Sequence, residues 1–190
     1  MMREHEKDRA AQPAGISQRA IGFARALVSE SPSPELGEHA ADFDWLIGGW
    51  SAVVRDYSDD GNVLESSGEW WFSWVLEGRA IQDVWIVPPR DQRKGQSPPN
   101  NRYGSTVRFF DNNDHVWRIT WFNPVSGKKN DLAGRRDGDR IVLEGVDGSD
   151  RIRWSFNDIT QDYFVWRGEH LTNEGDWELG AEFILTRLND

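Results

Sequence analysis

From Asp42 onward the chain is written in short runs whose apolar residues alternate with polar ones, each run bounded by residues that favour tight turns. Alternation with period two puts the apolar side chains on one face of an extended strand. Turn pairs at Asp60-Gly61, Glu77-Gly78, Asn112-Asn113, Asp137-Gly138 and Asp147-Gly148 tolerate the left-handed backbone that hairpins need. The pattern predicts strands over 49–57, 63–76, 79–87, 102–111, 114–123, 129–136, 139–146, 150–157, 162–170 and 176–187. No helix-length run returns among them. The expectation is an all-β domain, a single closed antiparallel β-barrel of about ten strands with an N-terminal helix.

Residues 1–14 are rich in charge and poor in apolar side chains, which predicts a disordered arm. Gly15 to Glu30 predicts one helix, because Ile16, Ala20, Phe23, Ala24, Leu27 and Val28 recur at three- and four-residue steps behind a capping Ser17. Two Ser-Pro steps between Ser31 and Glu38 end it. The division is then an arm over 1–14, a helix and linker over 15–41, and a barrel domain over 42–190. Such a helix covers a barrel end or serves a partner, a second copy in a homodimer included. Pro88 to Asn101 interrupts the hairpins with four prolines and much charge, and reads as a flexible flap.

At 190 residues the chain is long enough to bury a core without covalent or metal staples. The absence of cysteine excludes disulfides, thiol nucleophiles and cysteine-bearing zinc sites. A net charge of −10 argues against nucleic acid and anionic membrane as partners. No basic-then-apolar leader and no membrane-length run is present, so the expected location is the cytoplasm. Eleven tryptophans and nine phenylalanines exceed what an ordinary core needs. They fill a bulky interior or wall a cavity with flat rings.

The stretch Asp42-Phe43-Asp44-Trp45-Leu46-Ile47-Gly48-Gly49-Trp50 resembles the opening of calycin barrels, in which a short helical turn closes one end and a Gly-Trp element begins the first strand. A late-strand arginine packs near that tryptophan in those families, and Arg187 in Phe183-Ile184-Leu185-Thr186-Arg187 occupies the comparable place. The chain from Asp42 to Leu188 is also similar to an uncharacterised bacterial branch of lipocalin-like proteins. Arg79-Ala80-Ile81-Gln82-Asp83-Val84-Trp85, Arg153-Trp154-Ser155-Phe156 and Phe164-Val165-Trp166-Arg167-Gly168-Glu169 carry that likeness. The resemblance implies a lipocalin, fatty-acid-binding-protein or nitrobindin type of barrel. Relatives mostly bind small hydrophobic ligands, and a few are haem proteins or enzymes.

Strand parity nominates the inward side chains. Trp70, Phe72, Trp74 and Leu76 share one face. A two-residue turn at Glu77-Gly78 pairs Leu76 with Arg79, Trp74 with Ile81, Phe72 with Asp83 and Trp70 with Trp85, which buries Asp83 among tryptophans. A three-residue turn flips the face and leaves Asp83 in solvent. The hairpin at Asn112-Asn113 pairs Asp111 with Asp114 and puts Arg108 and Thr106 on the face of Trp117, Ile119 and Trp121. Arg108 then binds a ligand carboxylate or pairs internally with Asp83. Ile152, Trp154 and Phe156, and Phe164 with Trp166, also point inward.

Other signals are weak. His5, His39, His115 and His170 show no metal-ligand spacing, although His115 and His170 sit at strand ends where a haem ligand could lie. Asp56 to Gly61 imitates a calcium loop without its glutamate at position twelve. Gly49-Trp50-Ser51-Ala52-Val53 lacks the last glycine of a nucleophile elbow. Asp42 and Asp44 read as caps of a helical turn. The expected function is therefore binding of a small, largely apolar aromatic, acyl or polyketide-like ligand by Trp70, Phe72, Trp74, Trp85, Trp117, Trp121, Trp154 and Trp166, with no metal and no cofactor. The alternatives are an isomerase, cyclase or dehydratase in which Asp83 moves a proton and Arg108 steadies an oxyanion, and a haem-binding barrel.

Overall fold

The computed structural model describes residues 17–93 and 102–189. The arm expected over 1–14 and the distal part of the expected flap, 94–101, lie outside the described residues. Helix α1 (Gln18–Leu27) starts where Ser17 Oγ accepts the Ala20 N–H at 3.2 Å. It stops short of the expected Glu30, because Val28 and Ser29 turn extended and pair with Val75 and Trp74 as strand β1 (Val28–Ser29). Every described α1 residue leaves its side chain unburied, so the helix does not cover a barrel end.

The barrel strands are β2 (Gly48–Tyr57), β3 (Val63–Val75), β4 (Ala80–Val87), β5 (Arg102–Asp111), β6 (Val116–Asn123), β7 (Lys128–Asp137), β8 (Arg140–Asp147), β9 (Asp150–Asn157), β10 (Tyr163–Leu171) and β11 (Trp177–Arg187). Each is antiparallel to the next, and β2 closes the ring on β11. The protein is thus a closed ten-strand antiparallel barrel with one extra short strand and one N-terminal helix. Among the described residues, no helix is long and apolar enough to cross a membrane.

Register decides what faces inward. Across β3 and β4, Trp70 lies opposite Trp85, Phe72 opposite Asp83 and Trp74 opposite Ile81. The turn between them runs from Leu76 to Arg79 and keeps the parity of a two-residue turn. Gly78 takes a φ of 77° there and lies so close to the backbone of Ser31 and Ser33 that a Cβ would fall 2.3 Å from the Ser31 oxygen. Across β5 and β6 the expected register is shifted. Asp111 opposes Val116 instead of Asp114, because His115 adopts a φ of 53° and lengthens the turn by two residues. A shift of two preserves the face, so Arg108 still lies on the side of Trp117, Ile119 and Trp121.

One end of the barrel is plugged. Residues 34–46 form two 3-10 segments that insert Leu36, Phe43 and Leu46 between the strand ends. Phe43 meets Trp117 and Phe156 edge-on, at 4.9 and 5.6 Å between centroids. Arg187 locks the plug to the wall. Its guanidinium lies 4.1 Å over the Trp50 ring and donates to the carbonyl oxygens of Trp45 and Ile47 at 2.6 and 2.9 Å.

Candidate functional site

Inward aromatic rings fill the plugged half and stop short of filling the other. Above the packed layer a cavity of about 350 Å³ remains, opening at the end where β5 begins, β6 ends and β7 begins. Its wall includes an arc of rings contributed by six strands. Trp121 meets Trp154 edge-on at 6.0 Å, and Trp154 meets Trp166 at 5.6 Å. Phe183 stacks between Trp166 and Trp85 at 4.4 and 4.5 Å, and Trp70 follows at 5.1 Å from Trp85. Ile119, Leu143 and Phe156 complete the apolar lining.

The floor of the cavity is Arg108, whose side chain is 2% exposed. Its Nη2 donates to Asp83 Oδ2, and the other Asp83 oxygen accepts the Thr106 backbone N–H at 3.2 Å. Phe43, Phe72 and Phe156 surround the guanidinium at 5.2, 5.2 and 5.8 Å. These rings meet the cation through their electron-rich faces. Among the described residues nothing meets its Nε and Nη1, which are buried without a hydrogen-bond partner. Burial pushes the Asp83 carboxyl above the usual aspartate range, while the adjacent guanidinium, the Trp70 indole and the Thr106 contacts oppose that push. The same burial draws Arg108 downward, against the attraction of Asp83.

Of the aromatic residues expected in the wall, Trp70, Trp85, Trp121, Trp154 and Trp166 line the cavity. Phe72, Trp74 and Trp117 lie deeper, in the layer that the plug covers. Trp117 Nε1 donates to Asp42 Oδ2 at 3.0 Å and Trp74 Nε1 to Asp44 Oδ1 at 2.9 Å. Asp42 and Asp44 thus receive indole N–H groups from the wall, a role that capping did not suggest. Asp83 stands behind Arg108 and outside the cavity lining. Phe183 is a wall residue outside the expected set, and the alternation of Ala181, Phe183 and Leu185 in β11 is the signal that carries it. Arg102 and Lys128 line the outer part, paired with Asp56 at 2.6 Å and with Asp147 at 3.1 Å. Their nomination needed tertiary pairing that strand parity does not contain.

His115 lies exposed in the β5–β6 turn, and His170 on β10 approaches Glu178 at 3.6 Å. Neither lines the cavity. Among the described residues, no three His, Cys, Asp or Glu side chains gather as a metal-binding group.

No protein-family model and no curated protein matches the chain. Solved structures do. The S-type phycobiliprotein lyase CPES of Guillardia theta aligns with a TM-score of 0.53 at 13% identity, covering 80% of this chain and 93% of that one. Rv2717c of M. tuberculosis aligns with a TM-score of 0.58 at 12% identity, covering 84% of this chain and all of that one, 100%. At such identities the likeness concerns the fold alone, a ten-strand antiparallel barrel.

Proposed function

We propose that the chain is a binding barrel for a small, largely apolar molecule with a flat ring or an acyl body, held against the indole arc of the open half. The observation that carries this reading is the pairing of an apolar cavity with buried donors that have no acceptor. Among the described residues, the Trp166 indole nitrogen joins Arg108 Nε and Nη1 in that group. Donors left unmet in a dry site cost stability, which a ligand oxygen recovers. The fold supports the reading by analogy, since one protein of this build is a phycobiliprotein lyase.

Native mass spectrometry of the purified protein, before and after denaturation, tests it together with a tryptophan-fluorescence screen of aromatic and acyl compounds. A released small molecule, or saturable quenching by one class of compound, is the expected result. An empty protein unresponsive to the whole set would leave the cavity as a packing defect. An enzyme using Asp83 as its acid would need that carboxylate to act through Arg108, and Asp83→Asn would abolish turnover while binding persisted.

A further inference from the structure

The cavity is one-sided in its chemistry. Its charged lining residues are Arg102, Arg108 and Lys128, and no aspartate or glutamate is among the lining residues described. This is the reverse of the chain as a whole, whose net charge is −10. Hydrogen-bonding capacity is skewed the same way, because the unmet polar groups of the lining among the described residues, Arg108 Nε and Nη1 and the Trp166 Nε1 atom, are all donors. A neutral hydrocarbon would leave each of them unmet. A cation would meet three side chains of its own sign, each already paired with a carboxylate that lies outside the lining.

We infer that the ligand is an anion, an aromatic or acyl molecule whose carboxylate, sulfonate or phosphate oxygens lie innermost, against Arg108. The inference rests on the binding reading above and adds the charge and orientation of what is bound. Asp83 takes up one nitrogen of the guanidinium and holds it in place, and the other two lie buried at the cavity floor without a partner among the described residues, so that a ligand oxygen meets them once the covering side chains give way. A buried cation with only one carboxylate bond is electrostatically underspent, and a charge-assisted bond to a second anion is strong in such surroundings. Arg102 and Lys128 at the rim, each shared with a surface carboxylate, favour the approach of an anion to an otherwise acidic protein.

Three probes of one shape separate the possibilities: 2-naphthoate, 2-naphthamide and 2-naphthylmethylammonium, titrated at neutral pH by quenching of tryptophan fluorescence. The carboxylate is expected to bind at least roughly ten-fold tighter than the amide, and the ammonium weakest. An amide that binds as well as the carboxylate overturns the anion assignment and leaves the binding reading standing. Failure of all three overturns both.

Arg108 cannot be removed alone without stranding Asp83, so the seat is tested in the double variant Asp83→Leu/Arg108→Met, with its fold checked by circular dichroism. There the carboxylate should lose its advantage over the amide. An advantage that survives the double change would place the anion at Arg102 and Lys128 and overturn its seat on Arg108. If the double variant does not fold, Thr106→Val and Trp166→Phe provide the second measurement. Both line the cavity and leave the ion pair in place, and the carboxylate-to-amide preference should fall at least two-fold in Trp166→Phe if that indole donates to the anion. An unchanged ratio in both would overturn the innermost placement.

Discussion

The two halves of the barrel use the same residue in opposite ways. In the plugged half each indole N–H has an acceptor: Trp45 gives to the Asp42 carbonyl and Trp50 to that of Leu46, both at 2.7 Å, while Trp74 and Trp117 give to Asp44 and Asp42. In the open half the Trp166 donor is buried without one among the described residues, while the Trp70 indole lies toward the buried Asp83 carboxylate. Tryptophan thus serves as a tied structural beam at one end and as an uncommitted wall at the other. Packing and polar satisfaction set the first role. The second makes sense where something else completes the polar contacts.

The sharpest way to break the contrast is at its boundary, the Arg108–Asp83 pair. Arg108→Met should destabilise the fold by about 3–5 kcal/mol, since it leaves a buried carboxylate without its counter-charge, whereas Asp83→Leu/Arg108→Met should recover most of that loss. Urea midpoints measure both. The single-variant deficit should shrink as the pH falls toward the ordinary aspartate value of 3.8. Burial raises the folded-state value, so Asp83 protonates more readily in the folded chain, and protonation removes the need for a partner. A deficit independent of pH would mean that lost packing, not the stranded charge, is responsible.

Phe43→Ala should cost about 3–4 kcal/mol, because Phe43 is fully buried between plug and wall. Thermal and urea unfolding would both register it. The paired substitutions Trp117→Phe and Trp166→Phe then test the two roles directly. The first removes a made hydrogen bond and the second an unmade one, so the first should be more destabilising by about 1–2 kcal/mol. Equal costs would dissolve the distinction between beam and wall.

The smallest expected effect is at Glu69 on β3, which anchors the chain after β4. Burial pushes this carboxyl up, but the Arg90 side chain and backbone N–H and the Trp71 indole N–H hold it below the ordinary glutamate value of 4.5. Its contribution is therefore complete above pH 4.5 and lost as the pH falls through the lower folded-state value. Because Arg90 is 58% exposed, the loss should stay under about 1 kcal/mol. Amide exchange around Arg90 should quicken over that interval with the rest of the barrel unchanged.

Much of this architecture was legible in the residues. Alternation and Gly-bearing turns give ten strands whose ends fall within two residues of those observed, and the Gly-Gly-Trp and Arg187 pair meets as the calycin resemblance implies. The face of Asp83 was legible too, because a four-residue turn shares the parity of a two-residue one. The β5–β6 register was not, since the left-handed backbone of His115 lengthens that turn and histidine carries no strong signal for it. Parity also says nothing about height along the barrel. It groups eight aromatic residues as one wall, yet Phe72, Trp74 and Trp117 lie at the level of the plug. The plug itself has no periodicity to read, because Leu36, Phe43 and Leu46 sit in irregular 3-10 turns whose partners come from distant strands.

The meander closes only where β2 meets β11, with Trp50 opposite Arg187 and the Leu188 N–H given to the Gly49 carbonyl at 2.9 Å. Every other pairing in the ring joins neighbours in sequence, so nine hairpins can form from local contacts while this seam waits for the whole chain. Release of the last strand would expose two unpaired edges at once, along with the rings beneath them. The kinetic persistence of the barrel, and its resistance to edge-to-edge association, is therefore concentrated in the few residues at its C-terminal seam.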